Sequence, residues 1–234
     1  MSESSRRSFP SPRLAACCGV AGPIMFTLAW IVLGAAWPGY DPRAHYISEL
    51  AASDAPHAWA MVAAFLLLGV LVLVFARGLW GVLGTIVPAL VGVFGAGSIG
   101  SGIARCDPGC GGASFANQAH TTITYCGLGA LTLATLALPW VVGRDPSPAA
   151  AGTRRGYRVY SALTGVLAAI IFVRGFEAFG GVGLGQRLFV SLLFVWLVVL
   201  AMRLGRGDRT PRPATAGAPA VGTPLLAGEG ESAR

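Results

Sequence analysis

Residues 41–77 read DPRAHYISELAASDAPHAWAMVAAFLLLGVLVLVFAR, and the seam inside that stretch decides the fold. From Ala58 to Ala76 there is no charged side chain, and the run from Pro56 to Arg77 is long enough to cross a hydrocarbon core, which takes roughly 20 helical residues. Immediately before it, Asp41, His45, Ser48, Glu49, Asp54 and His57 crowd into one short polar segment. A long apolar run abutting such a segment marks a membrane helix entered from the interface.

Working outward, the same pattern repeats. Apolar runs are expected to span at Leu14–Trp37, Pro56–Arg77, Leu79–Ala104, Gln118–Val142, Tyr157–Phe179 and Leu184–Leu204, with Arg77-Gly78 marking a very short turn. Lipid offers the backbone no hydrogen-bond partner, so each run must be a helix. None alternates as a membrane β-barrel strand does. The expected fold class is therefore all-α, an integral membrane six-helix bundle over residues 14–204. Residues 1–13 and the Pro/Ala/Gly-rich tail 205–234 are expected to be disordered, and Gly143–Gly156 is expected as a flexible, basic cytoplasmic linker.

Composition supports the membrane class. Hydrophobic residues make up 54% and charged residues 12%, against roughly a quarter charged in a soluble domain. The net charge of +7 comes from arginine alone, because the chain has no lysine. These arginines sit at the ends of apolar runs, which is an orientation signal and not a nucleic-acid footprint. With the N-terminus inside, the inner side collects Arg6, Arg7, Arg13, Arg77, Arg144, Arg154, Arg155, Arg158, Arg203, Arg206, Arg209 and Arg212, and the outer side Arg43, Arg105, Arg174 and Arg187. Both termini are thus expected in the cytoplasm, in a multi-pass protein of the cell membrane. Ser5–Phe9 resembles a twin-arginine signal and Leu14–Cys17 a lipobox. Neither fits: a lipobox follows its apolar segment, and the run here is too long for a signal core. In the third run Gly84, Pro88, Gly92, Ala96, Gly100 and Ala104 recur every four residues, a stripe that lets helices approach closely or lines a groove.

Three polar clusters fall on the outer side. In the first, Asp41 before Pro42 is a helix cap, so Pro42 to about Ala52 is expected as a short interfacial helix with His45 and Glu49 sharing a face beside Ser48. His57 opens the next span. The second is Arg105-Cys106-Asp107-Pro108-Gly109-Cys110, in which a Pro-Gly turn separates two cysteines that a disulfide, free thiols or metal ligation would each explain. The third gathers Asn117 and His120 with Arg174, Glu177, Gln186 and Arg187 around the glycine-rich FGGVGLGQR. All three histidines, His45, His57 and His120, lie on this side, so with Asp107 or Glu49 they have the donor types of an open zinc site. A Ser48, histidine and Asp107 hydrolase set is the alternative chemistry. Equally, every one of these residues has a bland role as a cap, a turn or an interfacial charge.

Tyr46-Ile47-Ser48-Glu49-Leu50, Ala55-Pro56-His57-Ala58-Trp59, Cys106-Asp107-Pro108-Gly109-Cys110, His120, and Gly185-Gln186-Arg187-Leu188 with Trp196 together resemble the DUF998 family of bacterial multi-pass membrane proteins. The resemblance covers roughly Leu14 to Leu204. It implies a compact six-helix module whose recurrent polar residues match Ser48, Glu49, Asp107, His120 and Arg187, and it brings no established activity. The chain is only loosely similar to zinc-dependent membrane hydrolases, and it lacks their HxxxH pair.

Two functions are expected to compete. One is an enzyme acting on a lipid or isoprenoid-like amphiphile at the outer leaflet. There Ser48 would be the nucleophile, with Glu49, Asp107 and His120 as acid/base or zinc-binding groups, Arg187 as an anion clamp, and Arg174 and Asn117 assisting. The other is a non-enzymatic binding, transport or assembly protein in which the same residues form a structural network. No acidic residue sits at an expected midplane, which argues against proton-coupled transport.

Overall fold

The computed structural model describes residues 10–142 and 151–207. The expected N-terminal flank up to residue 9, positions 143–150 of the linker and the tail from 208 lie outside the described residues; positions 151–156, expected as linker, are instead the start of a helix. Within them the chain is all-helical: α1 Pro12–Ala36, α2 Ala58–Leu83, α3 Ile86–Ile103, α4 Phe115–Val142, α5 Ala151–Arg174 and α6 Val182–Gly207. All six are long and apolar enough to cross a membrane, and no strand occurs among the described residues. Short 3₁₀ turns at Ile47–Ala51, Pro108–Cys110 and Phe176–Phe179 fill the connections at one end.

Each helix packs on its neighbours in sequence, and α6 returns to α1, so the bundle closes as a ring. Phenylalanines from four helices meet inside it. The Phe26–Phe65, Phe26–Phe194 and Phe94–Phe194 centroids lie 4.8, 5.9 and 6.3 Å apart, each pair edge to face. Such pairs add about 0.5–1.5 kcal/mol each beyond the area they bury. Where helices must be joined without a water-driven hydrophobic effect, polar contacts help. Trp196 Nε1 on α6 donates to Ser161 Oγ on α5 (2.8 Å), which donates to the Thr135 carbonyl on α4 (2.7 Å). The outer surface is apolar, with Leu28, Val32, Trp140 and Val173 exposed. Trp59 and Trp80 are exposed near opposite ends of α2, separated by roughly 31 Å of helix, close to the thickness of a hydrocarbon core. The molecule is a multi-pass membrane protein in contact with lipid.

Two local expectations are corrected. The turn expected at Arg77-Gly78 is helical, and α2 runs on to Leu83. Gly78 is there for contact: a Cβ would stand 2.3 Å from the Ala15 Cβ on α1. The chain reverses instead at Gly84, whose φ of 68° suits glycine. The close-packing glycines of α3 match the four-residue stripe only in part: Gly100 belongs to it and a Cβ there would stand 2.9 Å from Ile123 Cγ2 of α4, but others lie off it. A Cβ on Gly69 of α2 would meet the Gly95 carbonyl at 2.5 Å, and Gly97 faces Gly127 of α4, whereas Gly92 has only Ala76 at 3.9 Å. Contacts to two helices on different sides of α3 demand two registers, which one stripe does not supply.

Gly69→Ala is therefore expected to cost about 1–3 kcal/mol, as overpacking does, while Gly92→Ala stays within about 0.5 kcal/mol. Reversible unfolding in mixed micelles measures both.

Candidate functional site

Residues 41–55 fold down onto the end of the ring as a plug. Ile47, Ser48, Glu49, Leu50, Ala51 and Ala52 are all buried, and the Ile47–Ala51 turn packs against α1, α2 and α6. The α-helix expected over Pro42–Ala52 is not formed. One turn closes on the Asp41 carbonyl, the chain extends at Tyr46 (ψ 153°), and a 3₁₀ turn follows at Ile47–Ala51. His45 and Glu49 consequently do not share a helical face. The physical reason is competition for the backbone. In an α-helix Ile47 N–H would bond the Arg43 carbonyl; here that carbonyl accepts from Gly183 N (2.9 Å) and Leu184 N (3.2 Å), and Ile47 N donates to Gln186 Oε1 (2.6 Å).

The glycine-rich start of α6 makes this exchange possible. A Cβ on Gly183 would stand 2.3 Å from the His45 carbonyl and 2.6 Å from that of Pro42, so only glycine lets the plug backbone approach. The first amides of α6 thereby find acceptors that a helix start otherwise lacks.

Two arginines clamp the plug from opposite sides. Arg187 NH1 donates to the carbonyls of Pro42, His45 and Gly183 (2.7, 2.8 and 2.9 Å), and its NH2 donates to Tyr40 Oη. Tyr40 Oη in turn donates to the Tyr46 carbonyl (2.9 Å). Arg105 donates through Nε to Ala51 (2.9 Å) and through NH2 to Ala52 (2.8 Å), its guanidinium lying over Trp59. The acceptors of both arginines are neutral oxygens, and Arg187 also lines a hollow of about 560 Å³ with Trp30 and Tyr40. Tyr40 and Tyr46 are pushed above the ordinary phenol value of 10.0 by burial, with Arg187 pulling Tyr40 part of the way back.

The expected acid/base groups turn out to be occupied in local structure. Glu49 Oε1 accepts from Tyr46 N (2.7 Å) and starts the 3₁₀ turn. Asp107 accepts from Ser114 N (3.2 Å) and Ser114 Oγ (2.7 Å); Asn117 accepts from Asp107 N and donates to the Gly112 carbonyl (2.6 Å). Cys106 and Cys110 form a disulfide. Its sulfurs carry no proton, so in the 3.4 Å contact between Ser48 Oγ and Cys110 Sγ the hydroxyl is the donor. Arg174 is exposed at the end of α5.

His120 differs from the rest. It is 3% exposed, and its Nδ1 lies 2.9 and 2.7 Å from the carbonyls of Ser101 and Ala104 at the end of α3. Two acceptors on one ring nitrogen require that nitrogen to carry the proton. Nε2 is buried with no hydrogen-bond partner. The ring lines a cavity of about 100 Å³ with Ser48, Thr124, Tyr125 and Gln186. A second cavity of about 50 Å³ beneath it shares Ser48, Thr124, Leu128 and Gln186 and reaches the phenylalanine cluster. Thr124 is held by Ser101, their hydroxyls 2.8 Å apart.

The three histidines do not converge. His45 Nδ1 accepts from Asp41 N (2.9 Å) and its ring stacks on Tyr40; His57 is the exposed residue preceding α2. No group of three His, Cys, Asp or Glu able to hold a metal occurs among the described residues, so the donor set expected for zinc does not fit. The structure brings Ser48, His120 and Gln186 to one mouth. Tyr40, Ser101, Thr124 and Tyr125 were not singled out in the sequence, since nothing in their spacing separates them from ordinary helix residues.

Arg105→Met removes two hydrogen bonds from a charged donor to buried carbonyls and is expected to destabilise the fold by about 2 kcal/mol or more, whereas Arg174→Met stays within about 0.5 kcal/mol; the same unfolding assay separates them. Alkali supplies a second measurement. A phenol whose pKa is raised on folding keeps its stabilising contribution below pH 10.0 and loses it as pH rises through the folded value. The unfolding midpoint should fall above that pH, and fall less in Tyr46→Phe.

No curated protein and no solved structure matches the chain. The family model described as "Protein of unknown function (DUF998)" matches residues 20–203, well over half of the sequence and close to the extent expected from its motifs, and the chain belongs to the DUF998 family.

Proposed function

We propose that this is a membrane binding protein whose outward-facing plug closes over a small polar or weakly amphipathic molecule, and not a hydrolase. The observation that carries the reading is His120, whose ring lines a cavity and whose Nε2 is buried without a hydrogen-bond partner. An unmet buried polar group costs about 1–3 kcal/mol, and a ligand hydroxyl or amine offers the missing bond. Ser48 Oγ, Thr124 Oγ1 and Gln186 stand in the same wall as further anchors.

Hollows of about 560 and 570 Å³ open at the same end, along Tyr40 and Arg187 and along His45 and Glu49, but at His120 volume decides the class of ligand. Cavities of about 50 and 100 Å³ fall below the roughly 300–1,000 Å³ of sites for drug-sized ligands. They compare with a cavity of about 150 Å³ that accepts benzene. A lipid or isoprenoid chain enters only if the plug withdraws. An enzyme acting on such an amphiphile is the weaker reading for a second reason: Glu49 and Asp107 already accept hydrogen bonds from the Tyr46 amide and from Ser114.

The test is alkylation of Thr124→Cys, with Cys17, Cys18 and Cys126 replaced by serine, using a small membrane-impermeant methanethiosulfonate. Cyclohexanol is expected to slow the reaction about tenfold, equivalent to ~1.4 kcal/mol, and dodecanol to leave it unchanged. His120→Phe should abolish the protection. Equal protection in His120→Phe, or none in the parent, would overturn the reading.

A further inference from the structure

We infer a second site at the opposite end of the ring, for an anionic amphiphile: an acid head group carried on an acyl chain. This end is where α1 and α5 begin and α2, α4 and α6 finish. A cavity of about 430 Å³ opens there, inside the usual range for small-molecule sites and several times the volume of the cavity beside His120. Its apolar wall comes from different helices, Leu79 and Leu83 on α2, Leu138 on α4 and Leu200 on α6.

Two polar groups are set into that wall. Tyr157 on α5 is 6% exposed, and its Oη has no hydrogen-bond partner. The Arg203 guanidinium of α6 lies 4.1 Å from the centre of the Tyr157 ring. No carboxylate lines the cavity among the described residues. A hydroxyl lacking an acceptor, a cation beside it and a leucine-lined hollow ask for one kind of molecule: an anionic oxygen for Tyr157 and Arg203, and a chain for the leucines. The depth agrees, because Pro12, Leu83 and Val142 in the same wall are helix-terminal residues, at the level where lipid head groups meet the hydrocarbon. This site rests on Tyr157 and Arg203 and stands apart from the reading of the plug end.

Native mass spectrometry of the full chain in a neutral maltoside detergent tests it, with dodecyl phosphate, dodecanol and inorganic phosphate as probes. One dodecyl phosphate per chain is expected to bind. Tyr157→Phe, which removes a single oxygen, and Arg203→Gln should each weaken binding about tenfold. Val82→Trp, which enters the cavity from an exposed position of its wall, should block it while the protein remains folded. Unchanged affinity in both Tyr157→Phe and Arg203→Gln would overturn the site. So would dodecanol binding as tightly as dodecyl phosphate, which leaves only an apolar hollow, or inorganic phosphate competing equally, which leaves only an anion site.

Discussion

A buried backbone that is neither helix nor strand must still pair its N–H and C=O groups, and this constraint shapes the plug end of the molecule. Residues 41–55 enter the ring as turns, so their carbonyls look outward for donors. Arg187 takes two of them, Arg105 two more and Tyr40 one, while the α6 amides share the Arg43 carbonyl. The conspicuous charged residues of this end are thus largely spent on peptide groups. A constellation that has the composition of an active site works largely as a set of clamps.

The same constraint explains where chemistry is left over. Once Glu49, Asp107, Asn117 and both arginines are paired, His120 stands out as a buried histidine with one ring nitrogen fixed and the other unmet. At the far end of the ring Tyr157 is left in a similar position. Both sit beside cavities, and between them lie Phe26, Phe65, Phe94 and Phe194. The protein therefore has a small polar hollow behind a clamped segment at one end and a larger, leucine-lined one at the other.

Much of the fold was legible because lipid simplifies the code. Apolar run length gives the helices, and backbone satisfaction excludes other structures. What misled were single residues with two meanings. Gly78 has the look of a turn, yet its missing Cβ serves a helix contact, and the true reversal at Gly84 was counted as part of a packing stripe. Asp41-Pro42 starts a helical turn as its sequence suggests, but the long-range pull of Gln186 and the α6 amides ends it within a few residues. At the site, the sequence names the polar residues without saying what they bond, because their partners are mostly peptide groups that every residue possesses. The role of the FGGVGLGQR glycines appears only when the carbonyls of Pro42 and His45 are seen against them.

The partners of the plug also set an order of assembly. Ile47 waits for Gln186, 139 residues later, and the carbonyls of His45 and Pro42 wait for Arg187, 142 and 145 residues later. During synthesis five helices are made before those donors exist, so the segment spends that interval without its final bonds. Contacts so distant in sequence close late, after their loop entropy has been met. Seating of the plug thus reports that the last helix has inserted, and a chain truncated before α6 leaves an unsealed ring with unpaired peptide groups, the kind of surface on which cellular quality control acts.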